Sequence, residues 1–465
     1  MGLFGKKKNT MDMTEGNILK ILITFAIPLF LGQLFQQLYN TVDTYVVGNY
    51  VSNDAFAAVG NTGPIINTLI GLFAGFSTGA GVVISQYFGA KQYENVRKAV
   101  NTTVLVTILL GIVFTFIGIA IVPFMLKLMK TPDEVFEEAK AYLSIYFSGI
   151  IGLMLYNVGS GILRAVGDSR RPFIFLVVSA LMNVFLDLLF VIGFKMGVEG
   201  VAYATIISQG VSAILVMIVL LTSKDCYRLS VKDFKFSGSI LLKIVKVGLP
   251  ASLQMAVTAF SNVFIQSYIN YFGPNFMSGW TAYAKIDQFV LLPMMSISMA
   301  STTFVGQNLG KGNTERAKKG ANTALLLTVC FTVILMIPVM IFAPDLVRFF
   351  NKESEEVVAY GAILLRILSP FYVLCCVNQI YSGALRGAGR STAPMVIMLT
   401  SFVAFRQIYL AIVSAVYNHY VLVALGYPAG WILCSLLIFI YYTKSGWENK
   451  LLIKKQEGVS ENETC

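Results

Sequence analysis

Two aspartates stand in stretches that are otherwise almost free of charge. Asp43 follows Tyr39 by four residues, and Asp187 follows Asn183 by four. On a helix that spacing sets each pair on one face. A carboxylate inside an apolar span costs about 2.5–3.5 kcal/mol to insert, so its retention points to a role. Two facing carboxylates can share a proton. Together with amide and hydroxyl oxygens they can also surround a hard cation such as Na⁺. Thr205, near the outer end of its own stretch, could add a hydroxyl, and all could meet in the outer part of the first half of the chain. The plainer alternative is that each Asp satisfies a buried polar neighbour. Weaker candidates follow later. Lys285 and Asp287 are two apart and so point to different faces. Met294, Met295 and Met299 with Phe289 could form an adaptable surface for apolar ligands or simply pack helices. Arg366 and Arg406 could pair with carboxylates or snorkel.

These residues need elements that hold them away from bulk water, and the composition says which. The chain has 465 residues, 56% of them hydrophobic and 13% charged, about half the charge of a soluble domain. Such a chain hides its surface in lipid. The net charge of +11 is scattered between apolar spans, which fits membrane topology and not a hydrated basic face for nucleic acid. The six cysteines show no CxxC spacing and mostly lie in apolar runs, reading as small hydrophobes instead of disulfides. With His419 as the single histidine there is no transition-metal cluster and no convergent nucleophile, which argues against an enzyme.

Twelve helices are expected, over roughly 18–46, 55–85, 99–123, 137–162, 171–194, 199–222, 242–271, 276–304, 319–343, 356–384, 392–416 and 421–443. Asn53-Asp54, Gly197-Val198-Glu199-Gly200 and Gly273-Pro274 provide turn chemistry at the breaks. Most basic residues fall in the segments assigned to the inside. The outer segments hold Lys127, Lys130, Lys140, Lys195, Arg348 and Lys352, and the spans Lys285, Arg366 and Arg406. That bias puts both termini in the cytoplasm.

The chain also repeats itself at an offset of about 222 residues. Ser160-Gly161-Ile162-Leu163-Arg164, running on to Pro172, matches Ser382-Gly383-Ala384-Leu385-Arg386, running on to Pro394. Gln86, Gly89 and Glu94 match Gln307, Gly310 and Glu315, and Pro28 and Asn40 match Pro250 and Asn262. Each half holds an even number of helices and inserts with the same orientation, so an axis along the membrane normal should relate them, with a cavity between. The organisation expected is a cytoplasmic segment 1–17, an N-lobe 18–222, a charged linker 223–241, a C-lobe 242–443 and a tail 444–465. With no GxxxxGK[ST] loop, uphill transport would draw on an ion gradient.

The Asp43-Thr44-Tyr45-Val46-Val47-Gly48 run, Pro28 with Gln33, the paired SGxLRxxGxSxxP blocks and Asn183-Val184-Phe185-Leu186-Asp187 together resemble the MATE (multidrug and toxic compound extrusion) family over nearly the whole chain. That resemblance implies an all-α polytopic membrane protein of two pseudo-symmetric six-helix lobes, a monomer in the plasma membrane. It would export lipophilic, often cationic compounds in exchange for H⁺ or Na⁺, with no other cofactor. It also implies a cation site matching Tyr39, Asp43, Asn157, Asn183, Asp187 and Thr205. The acidic pair that some members carry in helices 7 and 10 has no counterpart, since those spans hold Gln254, Gln266 and Arg366. A flippase for a lipid-linked molecule is the alternative on the same architecture, and would favour a more basic cavity.

Overall fold

A computed structural model describes residues 10–51, 53–129, 131–230, 235–350, 354–449 and 452–453; within the helices, the side chains of 43–45, 47–49, 53–61, 64, 260 and 263 are not described. Every regular element among the described residues is a helix. Its twelve spans are α1 (Ile18–Tyr50), α2 (Asn53–Gly89), α3 (Tyr93–Leu128), α4 (Asp133–Ser148 with Ile150–Ala165), α5 (Arg170–Gly193), α6 (Gly197–Thr222), α7 (Gly238–Asn270), α8 (Pro274–Lys311), α9 (Thr314–Ile341), α10 (Glu355–Gly387), α11 (Thr392–Val416) and α12 (Tyr420–Lys444). Eleven are single helices long and apolar enough to cross a bilayer, and the twelfth, α4, is bent by 48° at Gly149. Only helices can satisfy every backbone group in lipid without partners. Large apolar side chains such as Phe116 on α3 and Leu326 and Ile334 on α9 accordingly point outward.

Local chemistry sets the boundaries. Gly273, at φ +86°, turns the chain into Pro274 at the start of α8. Gly312, at φ +84°, ends that helix, and Asn313 caps α9 by accepting the N–H of Arg316 at 3.0 Å. Pro370 accompanies a 3₁₀ turn inside α10. One element was not expected, the short helix Ala343–Phe350, which buries Ala343 and Val347 and exposes Phe349. Four cysteines, at 330, 375, 376 and 434, are free thiols. Cys226 is disulfide-bonded, against expectation; it lies in the loop after α6, not in an apolar run.

The packing repeats with the sequence. In the first half α5 packs on α1 and α6, and α4 packs on α2, α3 and α6. In the second half α11 packs on α7 and α12, and α10 packs on α8, α9 and α12. Between the halves, α2 packs on α7 and α8, and α8 also packs on α1.

These crossings are closest near the face where α1 begins and α12 ends. Gly71, Gly75 and Gly79 recur every four residues along α2, the small-residue spacing that lets membrane helices touch backbone to backbone. A Cβ at Gly75 would collide with the backbone of Ser252, and one at Gly79 would lie 2.7 Å from the Gly248 nitrogen. Further along, Gly89 faces the backbone of Gln307, and Gly310 faces that of Gln86. The same two glutamines bind across the joint: Gln86 Nε2 donates to the Gly387 carbonyl and Gln307 Nε2 to the Ala165 carbonyl, both at 2.9 Å. At the repeat offset each bond is the image of the other.

The chain ends close this face further. The Met13 N–H donates to Gln307 Oε1 at 2.9 Å, Asn308 Nδ2 donates to the Met13 carbonyl, and Lys311 pairs with Glu15 at 2.8 Å. Met11 lies against Gly167, whose φ of +89° and missing Cβ both admit it. At the matching position Gly389 lies against Leu452, and Ile453 is buried in a cluster of the first repeat.

Adding a single methyl at the tightest crossing tests this reading. Gly310→Ala should destabilise the protein by about 1–3 kcal/mol, seen as earlier loss of monodisperse protein on heating in detergent. Gly210→Ala, whose Cβ meets open space, should melt with the wild type.

Candidate functional site

The polar candidates of the first repeat sit on helices that pack on one another. Asn157 is on α4, Asn183 and Asp187 on α5, Thr205 on α6, and α1, which carries Tyr39 and Asp43, packs against α5. Asp187 is 0% exposed, Asn183 2% and Thr205 7%, while Tyr39 and Asn157 are half-buried. The side chain of Asp43 lies outside the described residues. Its place on α1 is fixed by its neighbours: Val42 and Val46 join a cluster with Val191, one turn beyond Asp187, and Val201, one turn before Thr205. This apolar cluster covers the polar set on one side.

The donors leave room for a ligand. The Thr205 hydroxyl donates to the Val201 carbonyl at 2.9 Å, and Asn157 Nδ2 donates to the Leu153 carbonyl at 2.9 Å. In both cases oxygen lone pairs remain to coordinate. The Asn183 amide has no hydrogen-bond partner among the described residues although it is buried, a state that native interiors rarely keep without a functional reason. Immediately after Asp187, α5 changes to π pitch over Leu188–Gly193, a distortion frequent at functional sites. A buried carboxylate with hydroxyl and amide oxygens nearby can take up a proton or a hard monovalent cation.

Polar surface continues on α7 and α1. The stripe of α7 that packs on α2 through Gly248, Ser252 and Met255 continues at helical spacing as Asn262, Gln266 and Asn270, which are exposed. Exposed amides within a span are better served by water than by lipid. On α1, Gln36 and Asn40 are exposed four residues apart. Two bonds tie α1 to α8 beside these residues, Gln33 Nε2 to the Met299 sulfur at 3.4 Å and Gln37 Nε2 to Gln288 Oε1 at 2.9 Å. This polar wall on α7 went unnoticed in the sequence beyond Gln254, Gln266 and the match of Asn262 with Asn40; its four-residue spacing is the signal.

The later candidates on α8 divide among three faces. Met295 is exposed on the stripe that also carries Gln288 and Met299, toward α1. Lys285 lies 5.7 Å from the Phe350 ring centre, and Phe289 lines an apolar cavity of about 340 Å³ with Leu335, Leu346 and Phe349, on the side of α9 and the short helix. Asp287 and Met294 turn into the second repeat. The Tyr283 hydroxyl donates to Asp287 at 3.5 Å, and Met294 packs with Tyr372 and Cys376. The five do not form one surface.

Two copies of a six-helix unit, clasped at one face and carrying a buried carboxylate in the first, define a membrane transporter built on internal repeats. More particularly, the chain belongs to the family described as MatE, which matches residues 28–189 and again 250–412, two stretches that begin one repeat offset apart. Members of this family are transporters, not enzymes. The chain is similar to the probable multidrug resistance protein YpnP of Bacillus subtilis, 30% identical over 94% of this chain and 97% of that one. To the probable multidrug resistance protein NorM of Thermotoga maritima it is 27% identical over 97% of each. Its fold matches a solved structure described as the outward-facing conformation of a multidrug resistance MATE family transporter, with a TM-score of 0.89 and 24% identity over 96% of this chain and 100% of that one.

If the polar set binds a cation, binding should stabilise the fold by mass action. Saturating Na⁺, or a pH lowered through the carboxylate range, should raise the thermal midpoint of the wild type. Asp187→Asn, nearly isosteric, should fold but show no such shift; a full shift in that variant would remove Asp187 from the site.

Proposed function

We propose that this chain is a secondary antiporter that exports lipophilic, often cationic compounds in exchange for H⁺ or Na⁺. The observation that carries the reading is the wholly buried Asp187, one helical turn from the unpartnered Asn183 amide, on a helix packed against α1, which walls the cleft. The names of the relatives support multidrug export. The clasped face, where Lys311, Arg316 and Lys318 cluster with the chain ends, is assigned to the cytoplasm, and the cleft opens outward. A cation entering from outside would neutralise the Asp43 and Asp187 charges and release a cationic substrate held there. One charge moving through 100 mV supplies about 2.3 kcal/mol toward the next cycle. Substrate entry then requires the α2–α7–α8 clasp to part while the outer opening closes.

Dye efflux from proteoliposomes under imposed H⁺ or Na⁺ gradients tests the coupling. Asp43→Asn and Asp187→Asn should each slow gradient-driven efflux by about tenfold or more; undiminished transport by both would end this mechanism. The orientation has its own check. A green fluorescent protein fused to the carboxyl end should fluoresce in cells if that end is cytoplasmic, and export of the fusion partner would reverse the assignment.

A further inference from the structure

The repeat offset carries Arg406 of α11 onto Val184, beside Asn183 on α5. It carries Ser261 and Asn262 of α7 onto Tyr39 and Asn40 of α1. The second repeat thus has a polar set where the first holds its acidic one, but the charge is positive. Arg406 is 4% exposed, and its Nη2 donates to Asn262 Oδ1 at 3.0 Å and to the Ser261 hydroxyl at 3.4 Å. Gln407 Nε2 reaches the Ser261 carbonyl and hydroxyl at 3.3 Å. The guanidinium carbon lies 4.8 Å from the Tyr427 ring centre.

What is missing is a counter-charge. Among the described residues no carboxylate lies within 4.0 Å of this guanidinium, and its Nε is buried without an acceptor. Asp287, an acid on α8, takes the Tyr283 hydroxyl. Buried arginines are ordinarily paired. Asn262, which holds this one, is exposed on the α7 wall of the cleft, so the cation stands directly behind a polar surface open to the transport path.

We propose that the second repeat holds a site for an anionic group, the carboxylate or phosphate of an amphipathic molecule, with Arg406 as its fixed cation and Asn262 as the side chain that yields to it. The planar fork of arginine suits either oxyanion. The proposal rests on the reading of this cleft as the export path and deepens it. A zwitterion would span the cleft, its cation toward α1 and α5 and its anion toward α7 and α11.

Equilibrium binding of two dyes to the purified full-length protein tests this without any gradient, so failed efflux with intact binding would count against antiport alone. The probes are a rhodamine with a free carboxylate and its methyl ester, followed by fluorescence polarisation. Arg406→Gln should weaken binding of the carboxylate dye by about tenfold or more while ester binding stays within about twofold, and that retained ester binding also shows that the variant is folded. Arg406→Lys, which keeps charge but loses the fork, should fall between. Equal loss for both dyes, no loss for either, or wild-type protein that does not bind the carboxylate dye would overturn the site. Nanodiscs separate the sources of the anion. Carboxylate binding abolished in phosphatidylglycerol but not in phosphatidylcholine assigns the site to a lipid headgroup, and binding retained in both assigns it to a solute.

Discussion

Backbone laid against backbone, with no side chain between, is the constraint on which the architecture rests. In lipid no hydrophobic force draws helices together, so close packing and hydrogen bonds must do it. Along α2, Gly71, Gly75 and Gly79 bring α7 in, and Gly89 and Gly310 bring in α8. The reciprocal glutamine bonds fasten the joint at one face only. Beyond Met255 the α7 stripe turns polar, and its amides at Asn262, Gln266 and Asn270 are exposed, as a wall of the proposed export path requires.

The two repeats keep one packing plan but have parted in chemistry. Where the offset carries Asp43 and Asp187, the second repeat has Ile265 and Tyr409. Both carboxylates are thus replaced, while Arg406 stands one residue from the position matching Asn183. Packing within each half survives this exchange because it depends on the apolar faces, which both repeats retain. The polar centres could therefore diverge without disturbing the frame that holds them.

Most of the frame was legible in the sequence, because span length, loop charge and the repeat are written in residue type. The bend at Gly149 was not, since a glycine within a continuous apolar run changes neither polarity nor period. Ala343–Phe350 was hidden for a different reason: Pro344-Asp345 reads as the break that ends α9, and eight residues are too few to show a period. Of the clasp, the pairing of Gln86 with Gln307 could be read, but their acceptors are backbone carbonyls of Gly387 and Ala165, which leave no mark in sequence. The types and spacing of Asn183, Asp187 and Thr205 were legible, and so was the fact that Lys285 and Asp287 diverge. Which neighbour each face of α8 would meet depends on helix rotation, and periodicity within one helix does not report it.

The buried N–H of Met13 has an acceptor 294 residues further along the chain. During synthesis this segment therefore emerges long before α8 exists, and its polar groups stay hydrated at the membrane surface until the second repeat has been inserted. Completing the bundle then requires docking a segment made well before its partner. Its image in the first repeat, the side-chain Oε1 of Gln86, has no donor among the described residues, so the two halves of the duplicated joint are not bonded alike.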